Sequence, residues 1–215
     1  MSTPLSPTRR RFLGPLAAGC FLALAGCNLL PPPQPDPTHY YVITGPGLGD
    51  GTAVRPGGKL RLGLKTVELP AYLRKGTLAV RRGNNELRYD EYARWAEPLE
   101  TGLTRALRAH LLAVPSVTRV YAQPYPGDQE RDYDIAVTLI RCEGTLDSAG
   151  RAAVSFAAVL EISGVKNPGL VVTRKIYAPP PASWDGKDYG ALAQSLSETV
   201  GALSQEIAAV LPDKD

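Results

Sequence analysis

Histidine and cysteine are scarce in this sequence, and their scarcity excludes one kind of site. The 215 residues contain two histidines and three cysteines. A metal centre built from these residues normally needs four of them at short, regular spacings. A His/Cys metal site is therefore almost excluded, and we predict no bound metal.

A surplus of charge is also missing from most of the chain. The formal net charge of +3 arises from Arg9, Arg10 and Arg11, and from residue 27 onward the basic and acidic residues balance. Nucleic-acid binders normally owe their affinity to a basic surplus. The sequence therefore predicts that the mature protein does not bind nucleic acid.

The amino-terminal apolar run is too short to cross a membrane. It extends from Phe12 to Gly26, which is 15 residues, whereas a spanning helix needs about 20. A short run of this kind after a basic stretch is typical of an export signal. The arginines followed by Phe12 and Leu13 also resemble a twin-arginine signal, and the choice between that route and the general one stays open.

The export signal ends in a lipobox, which consists of Leu24, Ala25, Gly26 and Cys27. Small residues suit the cleft of a signal peptidase, and the thiol takes a diacylglyceryl group as a thioether. We predict a signal peptide over residues 1–26 and diacylglyceryl and N-acyl groups on Cys27, with no other cofactor. Such chains anchor a protein without spanning the membrane. The alternative is an ordinary secretory signal with an incidental cysteine.

A proline-rich segment follows the predicted lipid site. Five prolines lie between residues 31 and 37, and proline favours an extended polyproline conformation. We predict that residues 27–37 are a lipidated tether, although a segment wrapped on the domain surface is the alternative. Residue 28, directly after the predicted lipid site, is Asn. By resemblance to Gram-negative lipoproteins, an Asp at this position would favour retention at the inner membrane. By that resemblance the protein lies at the outer membrane and faces the periplasm.

The remaining chain has the pattern of strands and two helices. A run of aromatic and β-branched residues predicts a strand at 40–43, and alternating apolar residues predict another at 60–65. A short hairpin is predicted from 78 to 89 with its turn at residues 83–85. Four further strands are predicted at 117–122, 133–143, 152–163 and 170–177. Short turns join the last three, which predicts an antiparallel meander. Cys142 lies in this apolar pattern, so a buried thiol is favoured over a nucleophile.

Each predicted helix has one apolar stripe. The first carries Trp95, Leu99, Leu103, Leu107 and Leu111 at four-residue spacing, and the second runs from Tyr189 to Leu211. The second also matches a coiled-coil seam, but a helix laid on a sheet is favoured. The fold class is therefore α+β, an α/β sandwich with a mixed, largely antiparallel sheet and two long amphipathic helices. We predict one domain over residues 38–212.

No familiar catalytic motif occurs in the sequence, which lacks a nucleophile elbow, a His-Glu-x-x-His segment and a phosphate loop. Asp132 and Asp134 are two residues apart in a predicted strand and point to one face. Asp90 and Glu91 are expected just before the first helix, where its dipole favours acidic residues. The sequence therefore predicts a protein that is not an enzyme.

Two segments carry a resemblance to a known family. Residues 68–73 (Glu-Leu-Pro-Ala-Tyr-Leu) and residues 94–99 (Arg-Trp-Ala-Glu-Pro-Leu) resemble hallmark segments of the ABC-type transport auxiliary lipoproteins, of the paraquat-inducible protein C type. The resemblance implies an α/β sandwich and a non-catalytic component of an envelope lipid transport system that supports membrane integrity. The implied partners are a mammalian-cell-entry (MCE) domain protein and an ABC permease with its ATPase.

The residues that we predict to bind a partner are Arg94, Glu97 and Trp184. Arg94 and Glu97 either face outward or pair with each other. Trp184 follows three prolines, and it is either exposed as a binding hot spot or folded back over the last helix. The sequence is also compatible with a homo-oligomer.

Two other functions compete with a transport accessory. One is a lipidated periplasmic hydrolase with an unusual site. The other is a structural or secretion-assembly lipoprotein that links the outer membrane to other envelope components.

Overall fold

The computed structural model describes residues 34–47, 57–127, 130–166 and 171–211. The predicted signal peptide, Cys27 and most of the predicted tether lie outside the described residues. A compact unit runs from Thr38 to Asp215.

Nine strands and two long helices form the described part of this unit. The strands are β1 (His39–Tyr41), β2 (Leu60–Leu64), β3 (Thr77–Arg82), β4 (Glu86–Trp95), β5 (Val117–Ala122), β6 (Tyr133–Leu146), β7 (Ala152–Gly164), β8 (Val171–Tyr177) and β9 (Ala182–Ser183). The helices are α1 (Leu99–Ala113) and α2 (Tyr189–Val210), and a short 3₁₀ helix spans Ala71–Lys75.

Strand β6 is the centre of a single mixed sheet. Its first residues pair with β2 and its last residues with β3, both in parallel, while its full length pairs antiparallel with β7. On one side the sheet continues through β4 to β1, and β5 is parallel to β2. Strands β8 and β9 are antiparallel to β7. The predicted meander and the α+β fold class are confirmed.

The two helices cover one face of the sheet. Strand β7 shows this in its alternation, since Val154, Phe156, Ala158, Leu160 and Ile162 are buried and the residues between them are half-buried. The apolar stripe of α1 is buried over Leu99–Leu111, and α2 lies over β6 and β7. Burial of these aliphatic side chains is the main source of stability in such a fold. Neither helix of the described chain is long and apolar enough to cross a bilayer.

The prediction placed the start of the first helix too early. Trp95 ends strand β4, and α1 begins at Leu99 after Pro98, whose backbone is extended with ψ of 130°. Asp90 and Glu91 lie within β4, so the prediction that they precede the helix and meet its dipole is wrong. Ala93 and Trp95 are buried because alternate residues of a strand point inward. Trp95 also precedes Leu99 by four residues, so it matched the apolar spacing of the helix that follows.

Candidate functional site

A cleft of about 560 Å³ is lined by all of residues 94–99, the second segment that carried the family resemblance, and by Leu73, the last residue of the first segment. It is lined by Tyr40 of β1, by residues 73–76 at the end of the 3₁₀ helix, and by residues 94–100 between β4 and α1. We call it the Arg94 cleft. Its buried floor includes Leu73, Trp95 and Leu99.

The pairing of β1 with β4 places Tyr40 beside Arg94. The two residues are direct partners in the parallel ladder, and Thr77 of β3 is opposite Arg94 on the other side. Tyr40 is 62% exposed, and Arg94 is exposed as well. Side chains of paired residues lie on the same face of a sheet, so Tyr40 and Arg94 form one polar and aromatic wall of the cleft.

The 3₁₀ helix forms the opposite wall. It ends at Gly76, whose φ of +73° is a left-handed conformation that glycine adopts without strain. The Trp95 N–H donates to the Gly76 carbonyl at 3.0 Å, and the Tyr89 hydroxyl donates to the Tyr72 carbonyl at 3.2 Å. These bonds fix Arg74 and Lys75 at the rim, with the Lys75 ammonium 4.3 Å from the centre of the Tyr89 ring.

A buried ion pair lies under the 3₁₀ helix. The Glu143 side chain is fully buried, and its Oε1 accepts a hydrogen bond from Nε of Arg81 at 2.5 Å. The Arg81 guanidinium lies 5.6 Å from the centre of the Tyr72 ring. Burial raises the pKa of the Tyr72 hydroxyl well above its ordinary value, and the Glu143 carboxylate raises it further. Tyr72 therefore stays protonated and donates to the Ile140 carbonyl at 3.1 Å.

Glu97 is held by an arginine of α1 and not by Arg94. Its carboxylate accepts a hydrogen bond from Arg105 at 2.5 Å, and Arg105 also donates to the Ile43 carbonyl at 3.0 Å. The alternative in which Arg94 and Glu97 pair with each other is therefore wrong. The Glu97 side chain keeps 28% of its surface exposed, so it forms part of the cleft rim while its charge is already balanced.

Trp184 is folded back onto the domain and does not form an exposed hot spot. It is 8% exposed, and its indole N–H donates to the Asp188 carbonyl at 2.7 Å. Its ring rests on Gly144, where an added Cβ would lie 2.6 Å from the indole. The structure thus selects the second alternative for Trp184 and corrects its prediction as an exposed binding residue, because it has little surface left to offer a partner.

The remaining candidate groups have structural partners. Asp132, which lies just before β6, is bound to Arg61, and Asp134 of β6 is bound to Arg131, so the two carboxylates belong to separate ion pairs. Burial raises the pKa of the Cys142 thiol to about 12, with the neighbouring Glu143 adding to the effect. At neutral pH this thiol is therefore not a thiolate nucleophile. Within the described residues no group of three or more His, Cys, Asp and Glu side chains is arranged to hold a metal ion.

Sequence reasoning missed two parts of the site. Arg74 and Lys75 follow the first hallmark segment directly, and a basic pair before a glycine was the available signal. The Glu143–Arg81 pair was signalled only by a carboxylate inside an apolar strand pattern. The pairing of Arg81 with Glu143 can be recognised only when the pairing of their strands is known, because the paired residues of β3 and β6 are more than sixty positions apart in the sequence.

The fold and the cleft together define a small α+β protein with a concave site whose rim is polar and whose floor is apolar. The family model for the ABC-type transport auxiliary lipoprotein component matches residues 41–208, and the chain belongs to that family.

Solved structures support the fold. A protein of Xanthomonas campestris from the DUF330 family is 15% identical with a TM-score of 0.64, covering 79% of this chain and 92% of its own. A second, described as an uncharacterized protein, is 20% identical with a TM-score of 0.59, covering 80% of this chain and 97% of its own. The PelC dodecamer from Paraburkholderia phytofirmans has a TM-score of 0.39, 15% identity and coverages of 72% and 92%, and supports no conclusion about assembly. No curated protein matches the sequence.

Proposed function

We propose that this protein is a non-catalytic accessory lipoprotein of an ABC-type envelope lipid transport system. In this proposal it is anchored through Cys27 in the outer membrane and faces the periplasm. Its partners are an MCE-domain protein and the associated ABC permease and ATPase, which together support membrane integrity. It acts by contact and catalyses no reaction.

One observation carries the proposal. All six residues of the second hallmark segment line the Arg94 cleft, and the first segment, twenty residues earlier in the sequence, reaches it through Leu73, its last residue. Arg94 of the second segment and Arg74, which directly follows the first, are both exposed at the rim of the cleft. An exposed polar rim around a buried apolar floor is the usual anatomy of a protein interface. We therefore assign Arg94 to partner binding, with Glu97 at the rim and Trp184 in a structural role.

The experiment is a co-purification of the full-length, lipidated protein from its own envelope in mild detergent. We expect mass spectrometry to identify an MCE-domain protein with a permease and an ATPase. The matched control is Cys27→Ser, which should leave the outer-membrane fraction and lose these components. Recovery of peptidoglycan fragments or of a secretion pore instead would contradict the proposal and favour a structural or secretion-assembly role.

A further inference from the structure

We propose that the Arg94 cleft recognises an extended, acidic segment of its protein partner, which adds as a further strand to the outer edge of β1. This inference rests on the proposed function, because it concerns the same surface, and it specifies the chemistry of the partner.

The charges of the cleft are the first argument. Most arginines of the described chain are paired with carboxylates, among them Arg61, Arg81 and Arg105. The guanidinium groups of Arg74 and Arg94 have neither an ion pair nor a hydrogen bond with any other described residue. Guanidinium groups bind carboxylates through two parallel hydrogen bonds, so these two side chains offer unused donors to an acidic ligand.

The edge of β1 is the second argument. Within the described residues β1 pairs only with β4, and the Tyr41 carbonyl accepts from the Ala96 N–H at 2.8 Å. Successive residues of a strand direct their N–H and C=O groups to opposite edges, so those of Tyr40 point away from β4. Unpaired groups at a sheet edge are a template for an added strand. A side chain of that strand would lie beside Tyr40, two strand spacings or about 10 Å from the backbone of Arg94, which is a distance that two long side chains can bridge.

The shape and charge of the cleft favour a peptide over a membrane surface. The site is concave, whereas a bilayer presents a broad plane. Glu97 and Glu100 also line it, and although the charge of Glu97 is balanced by Arg105, the Glu100 carboxylate would repel anionic headgroups. From residue 27 onward the chain has no basic surplus to attract an anionic membrane. A peptide can place single carboxylates against Arg74 and Arg94 and avoid both glutamates.

The test uses the full-length lipidated protein in a mild nonionic detergent and three fluorescent octapeptides. One alternates valine with glutamate, and the others replace glutamate by glutamine or by lysine. We expect fluorescence anisotropy to show saturable binding of the acidic peptide, binding about tenfold weaker for the glutamine peptide, and none for the lysine peptide. Equal affinity for the acidic and glutamine peptides would overturn the recognition of acid.

Paired protein variants locate the site. Arg74→Gln with Arg94→Gln should weaken the acidic peptide about tenfold. Arg82→Gln with Arg141→Gln removes the same charge from exposed residues outside the cleft, and should leave the affinity unchanged. If both double variants weaken the peptide equally, the Arg94 cleft is not its site. All four residues are exposed, so folding is expected to persist and is checked by circular dichroism.

Strand addition is tested with an acidic peptide whose alternate amides are N-methylated. It keeps every charge but loses backbone donors, and we expect its binding to be lost. Undiminished binding would contradict strand addition. Displacement of the acidic peptide by phosphatidylglycerol in the micelles would instead identify a lipid surface and overturn the proposal. If transport components co-purify but the peptide does not bind, this inference alone fails; if the peptide binds without co-purification, the proposed function fails.

Discussion

At the scale of single residues, a buried ion pair supports the cleft without touching it. Glu143 is 1% exposed and its Oε2 has no hydrogen-bond partner within the described residues, while Arg81 keeps 18% of its side-chain surface. A carboxylate in such surroundings depends on its single cation. Because Tyr72 packs against that cation, the pair holds the 3₁₀ helix that presents Arg74 and Lys75.

We therefore expect Glu143→Ala to lower the free energy of unfolding by about 3 kcal/mol, because Arg81 is left without its buried partner. Urea unfolding of the purified protein measures the change. Replacing both residues by methionine removes both charges at similar volume and should restore most of the stability. A loss of less than about 1 kcal/mol for Glu143→Ala would mean that the pair behaves like an exposed one.

The sequence left open whether Arg94 faces outward or pairs with Glu97, and it did not indicate which residues surround Arg94. Its partner Tyr40 lies more than fifty positions earlier, and a parallel pairing across that distance leaves no local pattern. For Trp184, the sequence could not show which surface receives the side chain. Three prolines before it suggested a loop, and the bare surface at Gly144 that receives its ring could be known only from the packing.

At the scale of elements, the bounds of α2 were predictable because they depend on residues within the helix and directly beside it. Its apolar residues recur at three and four positions, and the observed helix Tyr189–Val210 agrees with the predicted range to within one residue. Asp188 begins it, since its carboxylate accepts from the Ala191 N–H at 3.0 Å. Helix α1 lacked such a signal because Pro98 provides no side-chain cap, which is why its start was misplaced.

The cap predicts the effect of one substitution. Asp188→Ala should lower the free energy of unfolding by about 1 kcal/mol, because a helix donor loses its acceptor. Asp188→Asn keeps an oxygen at that position and should be nearly neutral. Thermal unfolding followed by circular dichroism compares the two variants. Equal losses would show that the charge at the helix terminus matters and the hydrogen bond does not.

The packing of α1 on α2 predicts a dependence on pH. His110 of α1 lies against Gly201, where an added Cβ would come 2.9 Å from its ring. Burial lowers the pKa of His110 below its ordinary value of 6.5, so the unfolded chain takes up the proton more readily. The contribution of neutral, buried His110 to the free energy of unfolding is therefore complete above pH 6.5. It decreases as the pH falls from 6.5 towards the pKa of His110 in the folded state.

His110→Gln should remove that part of the pH dependence. Unfolding free energies of the protein and the variant are measured between pH 5 and pH 8, and we expect their difference to change below about pH 6.5. The exposed carboxylates contribute equally to both proteins and cancel. A difference that is independent of pH would show that His110 is not buried between the helices.

At the scale of the whole molecule, one layer of two helices buries one face of the sheet, while the residues of β7 on the other face are half-buried. The family resemblance rests on the residues of the two hallmark segments, whereas the strand order of the meander and the two-layer architecture were predictable from periodicity and turn signals within single segments. The cleft was not, because it is assembled from β1, the 3₁₀ helix and the turn into α1. In our proposal, this cleft at the end of the sheet next to β1 is the surface through which a larger assembly binds the protein.

The central claim is that the Arg94 cleft holds a subunit of an ABC-type transport system, and site-specific photo-cross-linking in intact cells tests it most directly. A photoreactive amino acid replaces Arg94 in one strain and the exposed Arg141 in a control strain. The account predicts an adduct with an MCE-domain protein from position 94 that is absent from position 141. Equal labelling from both positions, or an adduct only with a cell-wall or secretion component, would contradict it.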